Sequence, residues 1–142
     1  IGRAEAAKRE VRNVEFVVSA AESYVAAEPF DCVFISGLFV YLTDEQAGRL
    51  MENVRRLVKP GGTLVLRDGT SIQATRHEIV DRFSEILKAY YSAVYRTAPE
   101  YHALFADAGF TLVRDGQVFP EGCPLNKFAE TRLRYYLFRP TA

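Results

Sequence analysis

The residues able to do chemistry in this sequence gather at the ends of three short apolar runs. Residues 19–23 follow the run 14–18, residues 36–39 follow 32–35, and residues 67–70 follow 63–66. In open α/β sheets, ligands bind outside the carboxyl ends of the strands, so these three tips form the expected site. Ser36-Gly37-Leu38 reads as an edge for a ligand, because glycine has no Cβ and lets the backbone come close. Its plainer reading is a strand-to-helix turn. Arg67-Asp68 either faces a substrate or forms an ion pair at a strand end. His77, a little further on, is either a general base or a surface histidine at a helix start. His77 and His102 are the only two histidines, and neither has a companion at metal-ligand spacing, so no metal is expected. No Ser/His/Asp or Cys/His arrangement stands out, and Cys32 reads as too deep in its strand to be a nucleophile.

The elements that must position these tips follow from periodicity. Residues 3–12 favour helix, with Asn13 as a stop. Residues 14–18 (VEFVV) read as a short strand, and 19–29 as a loop or short helix ending at Pro29. The continuous apolar run 32–35 has the look of a strand covered on both faces. Thr43 and Gln46 have capping-box spacing and open a helix. Its apolar stripe is Ala47, Leu50, Met51, Val54, Leu57 and Val58, with Glu45, Arg49, Glu52, Asn53 and Arg56 opposite. Pro60-Gly61-Gly62 ends it in a turn, and residues 63–66 form the next strand, completing a βαβ unit. A second long helix is expected over about 76–95, on the stripe Ile79, Val80, Phe83, Ile86, Leu87, Tyr90, Tyr91 and Val94. A shorter helix opens at Pro99, carries Tyr101, Leu104 and Phe105, and stops at Gly109. Residues 110–113 and 131–138 are the last strands. Arg55, Arg56 and Lys59 suit the negative end of a helix dipole.

With 142 residues, 18 basic and 18 acidic, the chain carries no net charge and fits one domain. A nucleic-acid or anionic-membrane footprint usually needs a basic excess, so neither is expected as a partner. No apolar stretch is long enough to span a bilayer. Cys32 in a strand and Cys123 in a loop suggest no disulfide, and a reduced cytoplasmic setting is the expectation. The chain begins at Ile1 and its one methionine is Met51, so it is read as part of a longer protein.

Laid end to end, these segments resemble the second half of a class I S-adenosylmethionine-dependent methyltransferase. NVEFVVSAAES resembles that family's third strand and the loop behind it, and FDCVFISG its fourth strand and ligand-contacting tip. LVKPGGTLVLRD is similar to the helix end, turn and fifth strand; ALFADAGFTLV to the junction before the sixth; and RLRYYLFRP to the antiparallel seventh. The resemblance implies an α/β, Rossmann-like sheet, mostly parallel with an antiparallel C-terminal strand and with the N-terminal strands missing. It makes residues 1–142 one partial domain with a helical cover insertion at about 72–98. It implies S-adenosylmethionine as cofactor, held by Ala20, Ala21, Glu22, Ser36, Gly37 and Leu38. It places Phe39, Tyr41, Arg67, Asp68 and His77 toward a small-molecule methyl acceptor.

Two departures bear on that reading. The family's Gly-rich loop does not occur in the chain, and Ala20 stands where an acidic residue commonly contacts the adenine amine; Glu22 is the nearest substitute. This chain alone is therefore expected to bind cofactor poorly and to be inactive. The alternative reading is a methyltransferase-like scaffold or dimerisation module that has lost cofactor binding. A homodimer is one expected arrangement, because an exposed edge of the fourth strand invites pairing with another chain. Tyr90, Tyr91 and Tyr95 could serve a lid, a dimer contact or a core.

Overall fold

The computed structural model describes residues 2–85 and 87–141. A short helix α1 (Gly2–Lys8) and an irregular arm precede strand β1 (Phe30–Ser36), and helix α2 (Asp44–Leu57) leads into strand β2 (Val58–Ser71). Strands β3 (His77–Ser84) and β4 (Ala89–Tyr95) follow, then helix α3 (Ala98–Asp107) and strands β5 (Phe110–Gln117) and β6 (Thr131–Pro140). The main sheet has the order β1-β2-β6-β5. β1 and β2 are parallel, and β6 is antiparallel to both β2 and β5, so β5 runs with β1 and β2. Three strands thus point one way and the C-terminal strand opposes them, as the resemblance implies.

The core forms where α2 and α3 meet one face of this sheet. Ala47, Leu50, Met51 and Val54 of α2 share it with Leu64 and Leu66 of β2, Tyr136 and Phe138 of β6, and Tyr101 and Phe105 of α3. Phe105 stacks on Phe138 with ring centroids 4.3 Å apart. Both helices open with complete capping boxes, Thr43 with Gln46 and Thr97 with Glu100. Each satisfies two amide donors that a helix N-terminus otherwise leaves unpaired. Gly61, inside β2 where its register with β1 shifts, and Gly109, after α3, adopt left-handed conformations at φ 74° and 78°.

Several expectations need correction. Residues 14–18 form no strand, and Val18 is 97% exposed; β1 hydrogen-bonds β2 alone, and the arm does not pair with its free edge. β1 is not covered on both faces. Cys32 and Phe34 are exposed, and Ile35 is the strand's one buried residue, because α2 packs against a single face. Asn53, assigned to the solvent side of α2, is buried.

The largest correction is the cover at 72–98, which is an antiparallel β-hairpin rather than a helix. The apolar positions 79, 80, 83, 87, 90, 91 and 94 do fit a helical stripe, while Ile86 of that stripe lies outside the described residues. A helical stripe needs a surface to bury it, and among the described residues of the hairpin strands only Ala93 is buried, while Val80 stays 78% exposed. Without that burial the intrinsic preference of Ile, Val, Phe and Tyr for strands prevails. Cross-strand pairs support it: Phe83 against Tyr90 at 5.2 Å and His77 against Tyr95 at 5.9 Å between ring centroids. A bulge at Val80 and Asp81 absorbs one extra residue, with Asp81 at φ 47° and its N–H donating to Ser92 Oγ at 3.0 Å. Among the described residues, no helix is long and apolar enough to cross a membrane.

Candidate ligand crevice and hairpin cavity

The tip after β1 is built around Gly37, at φ 64°. Its N–H donates to the Arg67 carbonyl at 3.0 Å, which ties the end of β1 to β2. The chain then makes one 3-10 turn, Phe39–Tyr41, before Thr43 caps α2. Two buried charged groups hold this turn from different elements. Asp68, 1% exposed, accepts from the Phe39 N–H and the Gly69 N–H, each at 2.8 Å. Burial pushes its carboxyl above the usual carboxylate range, against the pull of surrounding backbone amides. Arg96, 2% exposed, donates to the carbonyls of Phe39 and Leu42, each at 2.9 Å, and to Asp44 at 2.7 Å. Arg76, at the other foot of the hairpin, also binds Asp44, at 2.9 Å, and reaches Glu100 of the α3 cap at 2.6 Å. Both feet of the hairpin therefore converge on the carboxylate that opens α2.

A crevice of about 580 Å³ runs between the N-terminal arm and this tip. Ala21 and Ser19 line it on the arm, Ser36, Gly37 and Leu38 on the tip, and Leu50 and Val54 of α2 at its floor. The arm is held in place by Asn53, whose amide donates to the carbonyls of Ala21 and Tyr24, each at 2.9 Å. A Cβ built on Gly37 would meet nothing within 4 Å, so this residue borders open space, and its φ disfavours a side chain. Glu15 also lines the crevice. Nothing in its sequence setting marked it, because it stood inside the expected strand 14–18.

The predicted residues thus sort into groups. Ala21, Ser36, Gly37 and Leu38 come together, while Ala20 and Glu22 flank them, exposed and outside the lining. Phe39 is fully buried against Tyr101 and Phe105, with centroids at 6.2 and 5.5 Å, so its side chain serves the core rather than an acceptor. Asp68 likewise points inward and holds the turn; Arg67 is exposed, and no ion pair joins the two. Tyr41 is exposed. His77 lines a second cavity, of about 370 Å³, beneath the hairpin, together with Tyr91 and Tyr95. Burial raises the Tyr95 hydroxyl above its usual range, and Tyr91, Tyr41 and Asp68 nearby add to that.

Comparison with known proteins bears on the fold. Residues 1–62 match a family model described as a methyltransferase domain. No curated protein matches the chain. Its fold is similar to a 1,6-didemethyltoxoflavin-N1-methyltransferase of Burkholderia thailandensis, solved with 1,6-didemethyltoxoflavin and S-adenosylhomocysteine, at TM-score 0.74 and 19% identity. That alignment covers 99% of this chain and 56% of the other. An O-methyltransferase from a trans-AT polyketide synthase multienzyme of Brevibacillus brevis, in complex with S-adenosylhomocysteine, aligns at TM-score 0.68 and 10% identity, over 99% of this chain and 54% of that one. An S-adenosylmethionine-dependent methyltransferase from Methanosarcina mazei aligns at TM-score 0.68 and 16% identity, over 89% and 67%. The chain spans little more than half the length of the first two. It shares its fold with S-adenosylmethionine-dependent methyltransferases of known structure, and its residues 1–62 match the methyltransferase-domain model.

Proposed function

We propose that the protein to which this chain belongs transfers a methyl group from S-adenosylmethionine to a small-molecule acceptor, and that the crevice beside Gly37 holds the cofactor. The observation that carries this is the open space in front of Gly37, walled by Ser36, Leu38 and Ala21, at a strand tip where α/β folds place ligands. The residues fit such a ligand. Leu50 and Val54 offer an apolar floor for a base or a thioether chain, and Ser19, Ser36 and Glu15 offer polar edges. Glu15 supplies the carboxylate that Ala20 does not, and is assigned to an amine or hydroxyl of the cofactor.

When bound, the cofactor supplies an electrophilic methyl on a sulfonium, so the protein's part is alignment, exclusion of water and removal of a proton where the acceptor carries one. Phe39 and Asp68 act as positioning residues, since one anchors the turn in the core and the other holds its amide. Tyr41, Arg67 and His77 remain the acceptor-side residues; His77, half-buried beside Tyr95, is the group placed to receive a proton. Balanced charge supports a small molecule over a nucleic acid as acceptor.

Ultraviolet crosslinking of radiolabelled S-adenosylmethionine, with mapping of the labelled peptide, tests this. Label is expected within residues 15–24 or 36–38 and is expected to fall in Gly37→Val. Equal labelling of that variant, or absence of label, would refute the assignment.

A further inference from the structure

We propose that the cavity beneath the β3–β4 hairpin takes the methyl acceptor, and that the acceptor is a planar aromatic molecule with an acidic group at one edge and an N–H or O–H donor at another. This rests on the methyl-transfer reading above. The cavity, about 370 Å³, falls in the range that holds a small ligand. Phe83, Tyr91 and Tyr95 of the hairpin and Phe128 of the segment before β6 all line it. Phe83 and Phe128 are large, apolar and exposed. A flat ring between them would cover both and could stack on the tyrosines, an arrangement aromatic faces favour over a rounded aliphatic one.

The charges on the walls define the ligand's edges. Arg82 and Glu130 both line the cavity, and neither has an ion-pair partner among the described residues. Glu85, also on the wall, is already matched by Lys88 at 2.7 Å. One unmatched guanidinium and one unmatched carboxylate therefore face the same space without reaching each other. Arg82 suits a carboxylate or phenolate on the ligand, where a forked pair can form, and Glu130 suits an amine or hydroxyl.

Tyr95 links the cavity to the cofactor side. Its ring lies over Gly69, where a Cβ would come within 2.7 Å of it. Gly69 and its neighbour Asp68 brace the tip whose Ser36, Gly37 and Leu38 line the crevice. The hairpin cavity thus connects to the tip through Tyr95, Gly69 and Asp68.

The probe is 4-aminobenzoate, followed by saturation-transfer NMR on the full chain, with trans-4-aminocyclohexanecarboxylate as the saturated comparator. The aromatic probe is expected to bind at least about tenfold more tightly than the saturated one. Arg82→Gln, an exposed position, is expected to weaken it about tenfold while leaving S-adenosylhomocysteine binding unchanged. Tyr91→Leu is a second variant, expected to erase the preference for the aromatic probe. Equal binding of the two probes, no binding, or indifference to Arg82→Gln overturns the proposal. If 4-aminobenzoate binds as stated while S-adenosylhomocysteine does not bind at all, the aromatic site stands and the methyl-transfer reading falls.

Discussion

Replacing Arg96 by methionine isolates the clamp on the ligand tip, since methionine keeps most of the apolar stem and removes the guanidinium. Arg96 is 2% exposed and donates to Phe39 O, Leu42 O and Asp44. Removing one member of a fully buried ion pair costs about 3–5 kcal/mol. Here the cost is smaller, because Asp44 is 63% exposed and keeps Arg76 at 2.9 Å. Phe39 O also keeps the Leu42 N–H, at 3.1 Å. The half-buried Leu42 carbonyl loses the donor Arg96 supplies, and a fully buried acceptor left unsatisfied costs about 1–3 kcal/mol, the upper bound here. Adding the weaker loss at Phe39, we expect a destabilisation of about 2–3 kcal/mol, and a fall in Tm of about 8 °C for a domain of this size. Urea unfolding followed by far-ultraviolet circular dichroism reads this as a lower midpoint at an unchanged slope. Arg67→Met, whose side chain is exposed, is the control and should stay within about 0.5 kcal/mol of the parent. If Arg96→Met matches that control, Arg96 does not hold the tip and the clamp is wrong.

Other parts of the account can be tested in the same apparatus. Gly69→Ala should cost about 1–3 kcal/mol and displace the Tyr95 ring, seen as changed tyrosine resonances, because its Cβ would meet that ring at 2.7 Å; an unperturbed Tyr95 spectrum would show that the contact is absent. Asn53→Ala should cost about 1–2 kcal/mol and speed amide exchange near residues 21–24, whose carbonyls lose their donor; unchanged exchange there would mean that the arm is held by something else. The Asp44 carboxyl is held below its usual range by hydrogen bonds from Arg76 and then Arg96. Its contribution is therefore complete above the unfolded value near 3.9 and is lost as pH falls from there through the lowered folded value. Asp44→Asn should flatten this acid limb of the stability profile, and an unaltered limb would assign it to other carboxylates. Finally, Cys32 lies on the exposed side of β1 and should alkylate with iodoacetamide in the native protein without denaturant; protection of Cys32 would mean that another chain covers that strand.

What the sequence disclosed was governed by local signals. The capping box at Thr43 and the stripe of α2 placed the helix behind the 36–39 tip correctly, because each depends on residues a few positions apart, whereas the expected turn at Pro60-Gly61-Gly62 and the expected tip at 67–70 both lie inside the single strand β2. That was enough to bring Ala21, Ser36, Gly37 and Leu38 to one crevice. The hairpin was hidden because its apolar residues satisfy two periods at once, and only the lack of a surface to bury a helix decides between them. Asp68 was marked as a charged tip residue, but its inward turn depends on an amide 29 residues away. Arg96 and Asn53 carried no local signature for the same reason: their partners are carbonyls distant in sequence. Glu15 was passed over because a strand that does not form was expected around it.

The central claim is that the crevice between residues 15–24 and the Gly37 tip is the cofactor site. Titration of S-adenosylhomocysteine to millimolar concentration into ¹⁵N-labelled protein, followed by amide shifts, tests it at the weak affinity expected of a crevice beside an unpaired strand edge. The account predicts saturable shifts concentrated at Glu15, Ala21 and Ser36–Leu38, with the hairpin residues Phe83 and Tyr91 little changed. Shifts centred on the hairpin, or none anywhere at saturating concentration, would contradict it.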